Sequence, residues 1–294
     1  MTEGADTFRL ERAAVRSSFD RASGSYESAA RLQRTVADEL LERLESFRAA
    51  PQVVLDLGAG TGRATAQLRR RFRGAQVIGL DLSLGMLTQA RRHLKLWQRF
   101  ARVCADAQRL PLRTGSVDLV FSSLMLQWCE PLDAALAEVR RVLRAGGLFL
   151  FSTLGPATLQ ELRAAWAAAD GYNHVNHFLD VHDVGSALMR AGLAEPVLDV
   201  DHHELRYPDT LTLMRDLKAL GAHNVTAGRP RTLLGRQHLQ RMQAAYEPLR
   251  QAGTLPSTWE VIYGVCFGTG PQRPAPAGGG EVRIDPRAIG RRAR

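Results

Sequence analysis

The segment Val53-Val54-Leu55-Asp56-Leu57-Gly58-Ala59-Gly60-Thr61-Gly62 constrains the fold of this chain more than any other. Its first five residues form a short, nearly continuous apolar run, the pattern of a strand buried on both faces of a parallel sheet. Three glycines at alternate positions follow. That spacing lets the backbone turn sharply and come close to a ligand. A helix is expected immediately afterwards, over roughly 61–72. Strand, glycine loop and helix in this order put a ligand at the carboxyl end of the strand, where open α/β sheets bind them.

The same alternation continues downstream. Gln76 to Leu80 reads as a second strand ending at Asp81, with Ser83 as the N-cap of a helix through Leu94. A third strand from Ala101 to Ala105 ends near Asp106, and a fourth spans Val117 to Ser122. A helix over 132–144 is expected to close on Ala145-Gly146-Gly147 before a fifth strand from Leu148 to Thr153. Two more strands are expected near 195–205 and 258–267. The pattern predicts a Rossmann-like α/β fold. It is a mostly parallel seven-stranded sheet with helices on both faces, plus a helical insert between the last two strands. Residues 1–50 are expected to form an N-terminal helical segment covering the active site, with helices on either side of Ser23-Gly24-Ser25. The second of these carries Leu32, Val36, Leu40, Leu41 and Leu44 at helical spacing. Residues 51–204 form the ligand-binding core, and 205–253 a basic insert with helices at about 208–221 and 234–251. Residues 254–268 supply the last core strand, and 269–294 a flexible basic tail.

Charge separates the parts. Of the net +9, residues 205–251 carry +5 and residues 271–294 carry +4, so the remainder is neutral. A neutral core with a basic insert suits a docking face for an acidic partner, not a nucleic-acid binder. No apolar run reaches the length of a membrane helix, and the first twenty residues lack the apolar stretch of a secretory signal. A membrane partner is therefore not expected. Cys104, Cys129 and Cys266 are far apart, which argues against a disulfide framework or a zinc ribbon and for a reducing cytoplasm.

The glycine spacing is G-x-G-x-G, not the G-x-G-x-x-G of dinucleotide binders, and no Gly-Lys-Ser/Thr accompanies it. Asp56, Asp81 and Asp106 stand at three successive strand ends. A carboxylate at Asp81 can accept both ribose hydroxyls of NAD or of S-adenosylmethionine, and one at Asp106 can accept from an adenine amino group. S-adenosylmethionine has no phosphate, but its sulfonium and amine need acceptors, which favours it for this loop. The expected cofactor set is Asp56, Gly58, Ala59, Gly60, Gly62, Asp81, Leu82, Asp106, Ala107, Ser122 and Ser123. Gln127 and Trp128 follow the fourth strand and face the same crevice. His202-His203 are adjacent near a strand and point opposite ways, a poor ligand pair. His174 and His177 are three apart and could meet on a helix, and His182-Asp183 reads as a helix start. Neither a metal site nor a general base is expected.

The stretches VVLDLGAGTGR, VIGLDLS, CADAQRLPL and VDLVFSSLMLQW resemble class I S-adenosylmethionine-dependent methyltransferases. The further stretches FDRASGSYESAARLQ, FSTLGPATLQELR, NHVNHFLDVHDVGSAL, LMRDLKALGAHN and LPSTWEVIYG resemble the malonyl-acyl-carrier-protein O-methyltransferase family of biotin synthesis, over roughly residues 15–270. The resemblance implies that Gly58, Gly60 and Gly62 form the cofactor loop, that Asp81 binds ribose and Asp106 adenine, and that Tyr26 helps close the active site. It also implies an activity: methylation of the free carboxylate of a malonyl thioester on a carrier protein or coenzyme A, giving the ester that primes pimeloyl synthesis. Two alternatives accompany it. One is a complex I assembly factor of the arginine-hydroxylase type, which shares part of the pattern; the other is a small-molecule O- or C-methyltransferase. A carboxylate with a pKa near roughly 4 is already ionised, so positioning suffices and no catalytic acid or base is required. Tyr26, Trp128 and Phe178 are expected to wall the substrate site together with Gln127, and Arg215 and Lys218, three apart on one helix face, to hold the carboxylate. Arg229, Arg231, Arg236 and Arg241 are expected to face the acidic carrier protein.

Overall fold

A computed structural model describes residues 10–94, 99–222, 224 and 235–270. Its seven strands are β1 (Val53–Leu57), β2 (Gln76–Asp81), β3 (Ala101–Cys104), β4 (Val117–Ser123), β5 (Leu143–Leu154), β6 (Ala194–Tyr207) and β7 (Leu255–Phe267). They form one sheet in the order β3-β2-β1-β4-β5-β7-β6. The first five are parallel, and β7 runs antiparallel to both β5 and β6. The order reverses between β1 and β4, and the crevice of such a sheet opens there, at the carboxyl ends of the strands.

Helices cover both faces. On one side α3 (Arg31–Arg43) buries Leu32, Val36, Leu40 and Leu41 against the sheet, the stripe its spacing predicts. Each such side chain taken wholly out of water contributes roughly 1.5–3 kcal/mol. The same face carries α4 (Arg63–Arg71), α7 (Gln160–Ala169), α9 (Thr210–Ala219) and α10 (Arg236–Tyr246). The opposite face is covered by α6 (Leu132–Val142) and α8 (Val181–Arg190). Two further helices, α1 (Arg12–Ala22) and the single turn α2 (Tyr26–Ala29), precede α3, and α5 (Leu84–Gln89) follows β2.

Three local expectations change. The helix begun at Ser83 does have that residue as its cap, Met86 N donating to its hydroxyl at 3.1 Å. It keeps α-geometry only to Gln89, and tightens to a 3-10 turn over Ala90–His93. Helix α6 stops at Val142 and is not closed by Gly146-Gly147. Leu143 is already extended and paired with Val117. The glycines serve close strand approach instead: Gly146 N donates to Gly268 O at 2.8 Å, and Gly268 N to Gly147 O at 2.8 Å. His174 and His177 lie outside any helix. His174 Nε2 meets both oxygens of Asp170 at 2.9 and 3.0 Å and its ring stacks on Trp166 at 3.9 Å, a buried brace. Asp180, ahead of His182, is the N-cap of α8 and accepts from Asp183 N at 2.7 Å. No described helix is long and apolar enough to cross a membrane.

Candidate active site

The glycine loop is held from beneath by β2. Gly58 N and Ala59 N both donate to Leu80 O, at 2.8 and 2.9 Å. Gly60 N donates to Asp81 Oδ2 at 2.8 Å, and Ser83 N to Asp81 Oδ1 at 2.8 Å. Each Asp81 oxygen thus accepts one backbone N–H and keeps lone pairs for a ligand. Gly58, Gly60 and Gly62 all have positive φ. At Gly58 a Cβ would stand 2.3 Å from Met125 Cγ, whereas at Gly60 nothing lies within 4 Å, so Gly60 leaves the cradle open.

Asp56 is buried behind the loop and accepts from Thr65 Oγ1 at 2.5 Å. Burial, aided by the nearby Asp81 charge and opposed by the Thr65 hydroxyl, pushes its carboxyl up to about 7. Burial likewise raises Asp81. The folded chain therefore keeps a proton on Asp56 between pH values near 4 and 7 that the unfolded chain has lost. The native state binds more protons in that window, so this group makes stability fall as pH rises through it, by at most about 1.4 kcal/mol per pH unit. Asp56→Asn should remove that slope in urea melts taken from pH 5 to pH 8; an unchanged slope would contradict the assignment.

A cleft opens above the loop, and its lining follows the order of the strands. Asp106 and Ala107 lie beyond β3, Asp81 and Leu82 at the end of β2, Gly58 and Gly60 after β1, Ser123 at the end of β4, and Leu154 at the end of β5. Gln127 and Trp128, in a short 3-10 turn after β4, complete that wall. The lid is N-terminal. Phe19 of α1 meets Trp128 edge-on with ring centroids 5.1 Å apart, and Tyr26 of α2 lines the same cleft. Helix α1 is moored by Asp20, whose Oδ1 accepts from Ser83 Oγ at 2.6 Å and Gly85 N at 2.9 Å. Arg12 reaches across to Asp106 Oδ2 at 3.1 Å. Burial, with the Asp81 and Glu27 charges, raises the Tyr26 phenol, so it remains a proton donor.

Several expected residues stand elsewhere. Ser122 does not reach the cleft; it is fully buried and its hydroxyl donates to Leu57 O at 2.8 Å. Gly62 caps α4 and packs on Ala90, where a Cβ would come within 2.7 Å. Ala59 and Asp56 line a small recess that adjoins the cleft at Gly58, Gly60 and Ser123. Phe178, Arg215 and Lys218 line a neighbouring cavity between α1, α7 and α9, which also takes in Arg21 and meets the cleft at Ala222. Arg236 and Arg241 are exposed on α10, while Arg229 and Arg231 lie outside the described residues. Residues that sequence reasoning missed include Gln33, Leu154 and Trp259, all of which line the cleft. Gln33 is marked in the sequence only as a polar residue beside the apolar stripe of α3, and Trp259 carries no signal that separates it from a core aromatic.

No histidine is among the described residues lining the cleft. Its carboxylates are occupied by backbone N–H groups or Arg12, and burial pushes the Cys129 thiol up to about 12. Such a site can orient and desolvate a ligand. His203 faces Glu39 at 3.6 Å and Tyr263, away from His202, as the strand alternation predicts. Glu39, Asp201 and His203 place ligand-type atoms within 4.8 Å of one another, on the β6 side of the β6–β7 pair.

The fold and cleft are those of a methyltransferase. A family model described as a methyltransferase domain matches residues 55–151. A solved structure from Bacillus halodurans C-125, described as a methyltransferase, shares the fold with a TM-score of 0.58 at 15% identity, over 81% of this chain and 100% of that one. The malonyl-[acyl-carrier protein] O-methyltransferase of Methylovorus sp. (strain MP688) is 50% identical over 290 residues, covering 97% of this chain and 98% of the relative. That of Laribacter hongkongensis (strain HLHK9) is 53% identical over 267 residues, covering 88% and 90%. The chain belongs to the malonyl-[acyl-carrier protein] O-methyltransferase family.

Proposed function

We propose that this protein methylates the free carboxylate of a malonyl group carried by an acyl carrier protein, using S-adenosylmethionine, and so primes pimeloyl synthesis for biotin. The observation that carries this reading is the near-full-length similarity to O-methyltransferases acting on that substrate, which includes the lid and β7 as well as the shared core. The assembly-factor alternative is not favoured by those relatives. A phenol acceptor calls for a base to take its proton, whereas a carboxylate is already ionised and calls for none.

The residues fit the cofactor. Asp81 keeps lone pairs for ribose hydroxyls, Gly60 leaves space where a side chain would stand, and Asp106 presents an acceptor at the β3 end. Bound there, S-adenosylmethionine supplies an electrophilic methyl group that a carboxylate oxygen takes as the carbon–sulfur electron pair stays on sulfur, with no proton transferred. The chain's own work is positioning and exclusion of water. Trp128 and Phe19 close the wall, Tyr26 covers it, and Asp20 keeps α1 moored over it. Arg21, Arg215 and Lys218 around the neighbouring cavity, with Arg236 and Arg241 beyond, suit an acidic carrier protein approaching from that side.

Expression of the gene should restore growth without biotin to a bacterial strain lacking this methylation step; failure to rescue from well-expressed protein would count against the reading. Reversing Arg215 and Lys218 to Glu should raise KM for malonyl-carrier protein by about tenfold or more and leave KM for a small malonyl thioester nearly unchanged, since docking charges act on the protein partner. Equal effects on both substrates would argue against carrier docking at this face.

A further inference from the structure

The cleft has a polar gap that its cofactor half does not use. Its lining, read along the sheet, passes Asp106, Asp81, Gly58 and Ser123, and then continues to Leu154 at the end of β5 and Trp259 on β7. Because β7 runs antiparallel and Leu154 pairs with Val261, Trp259 lies just beyond the carboxyl end of β5, on the acceptor side of the glycine loop. Trp259 is 3% exposed, and its Nε1–H, closed off from solvent, has no hydrogen-bond partner. The same holds for one atom of the Gln33 amide, Oε1. Oxygen and nitrogen of an amide exchange by a flip, so this position presents a donor equally well. An indole N–H can only donate, and leaving it unpaired in the interior is costly. Among the described lining residues the sole cation is Arg12, and it is engaged by Asp106 at the opposite end.

We infer that Trp259 Nε1–H, with the Gln33 amide and the Tyr26 hydroxyl, forms the subsite that holds the substrate carboxylate, a cradle of neutral donors in place of the cation pair Arg215 and Lys218. This rests on the malonyl reading above. The chemistry favours neutral donors. A guanidinium engages both carboxylate oxygens side by side, whereas single N–H and O–H donors hold one oxygen and leave the other free to attack. Tyr26 stays protonated and so can donate throughout the working pH range. The backbone around Trp259 is fixed on both sides: Leu159 N donates to Thr258 O at 2.7 Å, Gly155 N to Glu260 O at 2.9 Å, and Ala157 N to Glu260 Oε2 at 2.6 Å. The backbone that carries the indole is thereby fixed, which limits the ordering cost of binding.

Trp259→Phe removes the N–H and keeps an aromatic ring. In the full-length protein saturated with S-adenosylhomocysteine, calorimetry should show malonyl-carrier protein binding weakened by about tenfold, the worth of one lost hydrogen bond to a charged group. Acetyl-carrier protein, which lacks the carboxylate, should bind the variant as it binds the wild type, and S-adenosylhomocysteine affinity should stay within about twofold. In kinetics KM for the malonyl substrate should rise more than kcat falls. As a check independent of how the variant folds, the Trp259 indole proton resonance of the wild type should shift downfield with malonyl-carrier protein and stay in place with acetyl-carrier protein. A variant that binds malonyl-carrier protein as tightly as a wild type that methylates it would overturn the subsite alone. An indole resonance that ignores the malonyl group would do the same. A wild type that neither binds nor methylates malonyl-carrier protein would overturn the functional reading on which the subsite rests.

Discussion

Replacing Asp81 by alanine is expected to weaken S-adenosylmethionine binding by about a hundredfold, since charge-assisted hydrogen bonds contribute roughly 1.5–3 kcal/mol each and the proposed ribose contact uses two. The loss has two sources. The variant lacks the proposed acceptor for the ribose hydroxyls, and it leaves Gly60 N and Ser83 N without the oxygens that now receive them at 2.8 Å. The second effect loosens the loop that shapes the cofactor site, so Asp81→Asn, which keeps one acceptor oxygen, should fall between the variant and the wild type. Isothermal calorimetry reads both. An affinity for Asp81→Ala within about threefold of wild type would refute the ribose assignment. Thermal melts of the ligand-free proteins separate a binding loss from unfolding.

Gly58→Ala is expected to be the most damaging single methyl in the loop. Gly58 has φ +84°, and an added Cβ would fall 2.3 Å from Met125 Cγ and 2.5 Å from Met125 Cβ. The second clash involves an atom next to the Met125 backbone, so rotating the side chain does not relieve it. Left-handed strain of about 1–3 kcal/mol adds to the overlap, and a total near 3 kcal/mol is expected in denaturant melts. Gly60→Ala provides the internal comparison. Its φ is +52° and nothing lies within 4 Å of the new methyl. It should be destabilised only by the left-handed strain, about 1–2 kcal/mol and so less than Gly58→Ala, while binding the cofactor less well because the methyl occupies the cradle. Equal destabilisation of the two variants would contradict the division between a packed glycine and an open one.

The alternation of apolar runs, glycines and acids made the sheet, and the strand ends that line its cleft, readable from the sequence. Asp81 and Asp106 follow directly from standing at strand ends, and a parallel sheet puts those ends on one side. The missed features depend on contacts between distant positions. Helix α6 ends early because Leu143 pairs with Val117 and Gly147 approaches Gly268, and neither pairing is written in the local sequence around 132–147. Ser122 and Ser123 are adjacent, yet only Ser123 lines the cleft, because strand alternation turns Ser122 inward to Leu57 O. Arg215 and Lys218 share an exposed face of α9 as their spacing predicts. Which cavity that face borders depends on the docking of α9 against α1, through contacts such as Ser18 Oγ to Gly221 O at 3.0 Å. Trp259 reads as one more core aromatic in an alternating strand. Only its orphaned N–H, visible once α3, β5 and β7 are assembled, sets it apart.

The most direct test of the central claim is product identity. Purified protein incubated with malonyl-carrier protein and S-adenosylmethionine carrying a labelled methyl group should transfer one label per malonyl group, as a base-labile methyl ester on the distal carboxylate. Acetyl-carrier protein should remain unlabelled. Label on the carrier polypeptide itself, or no base-labile ester from protein that binds S-adenosylmethionine, would contradict it.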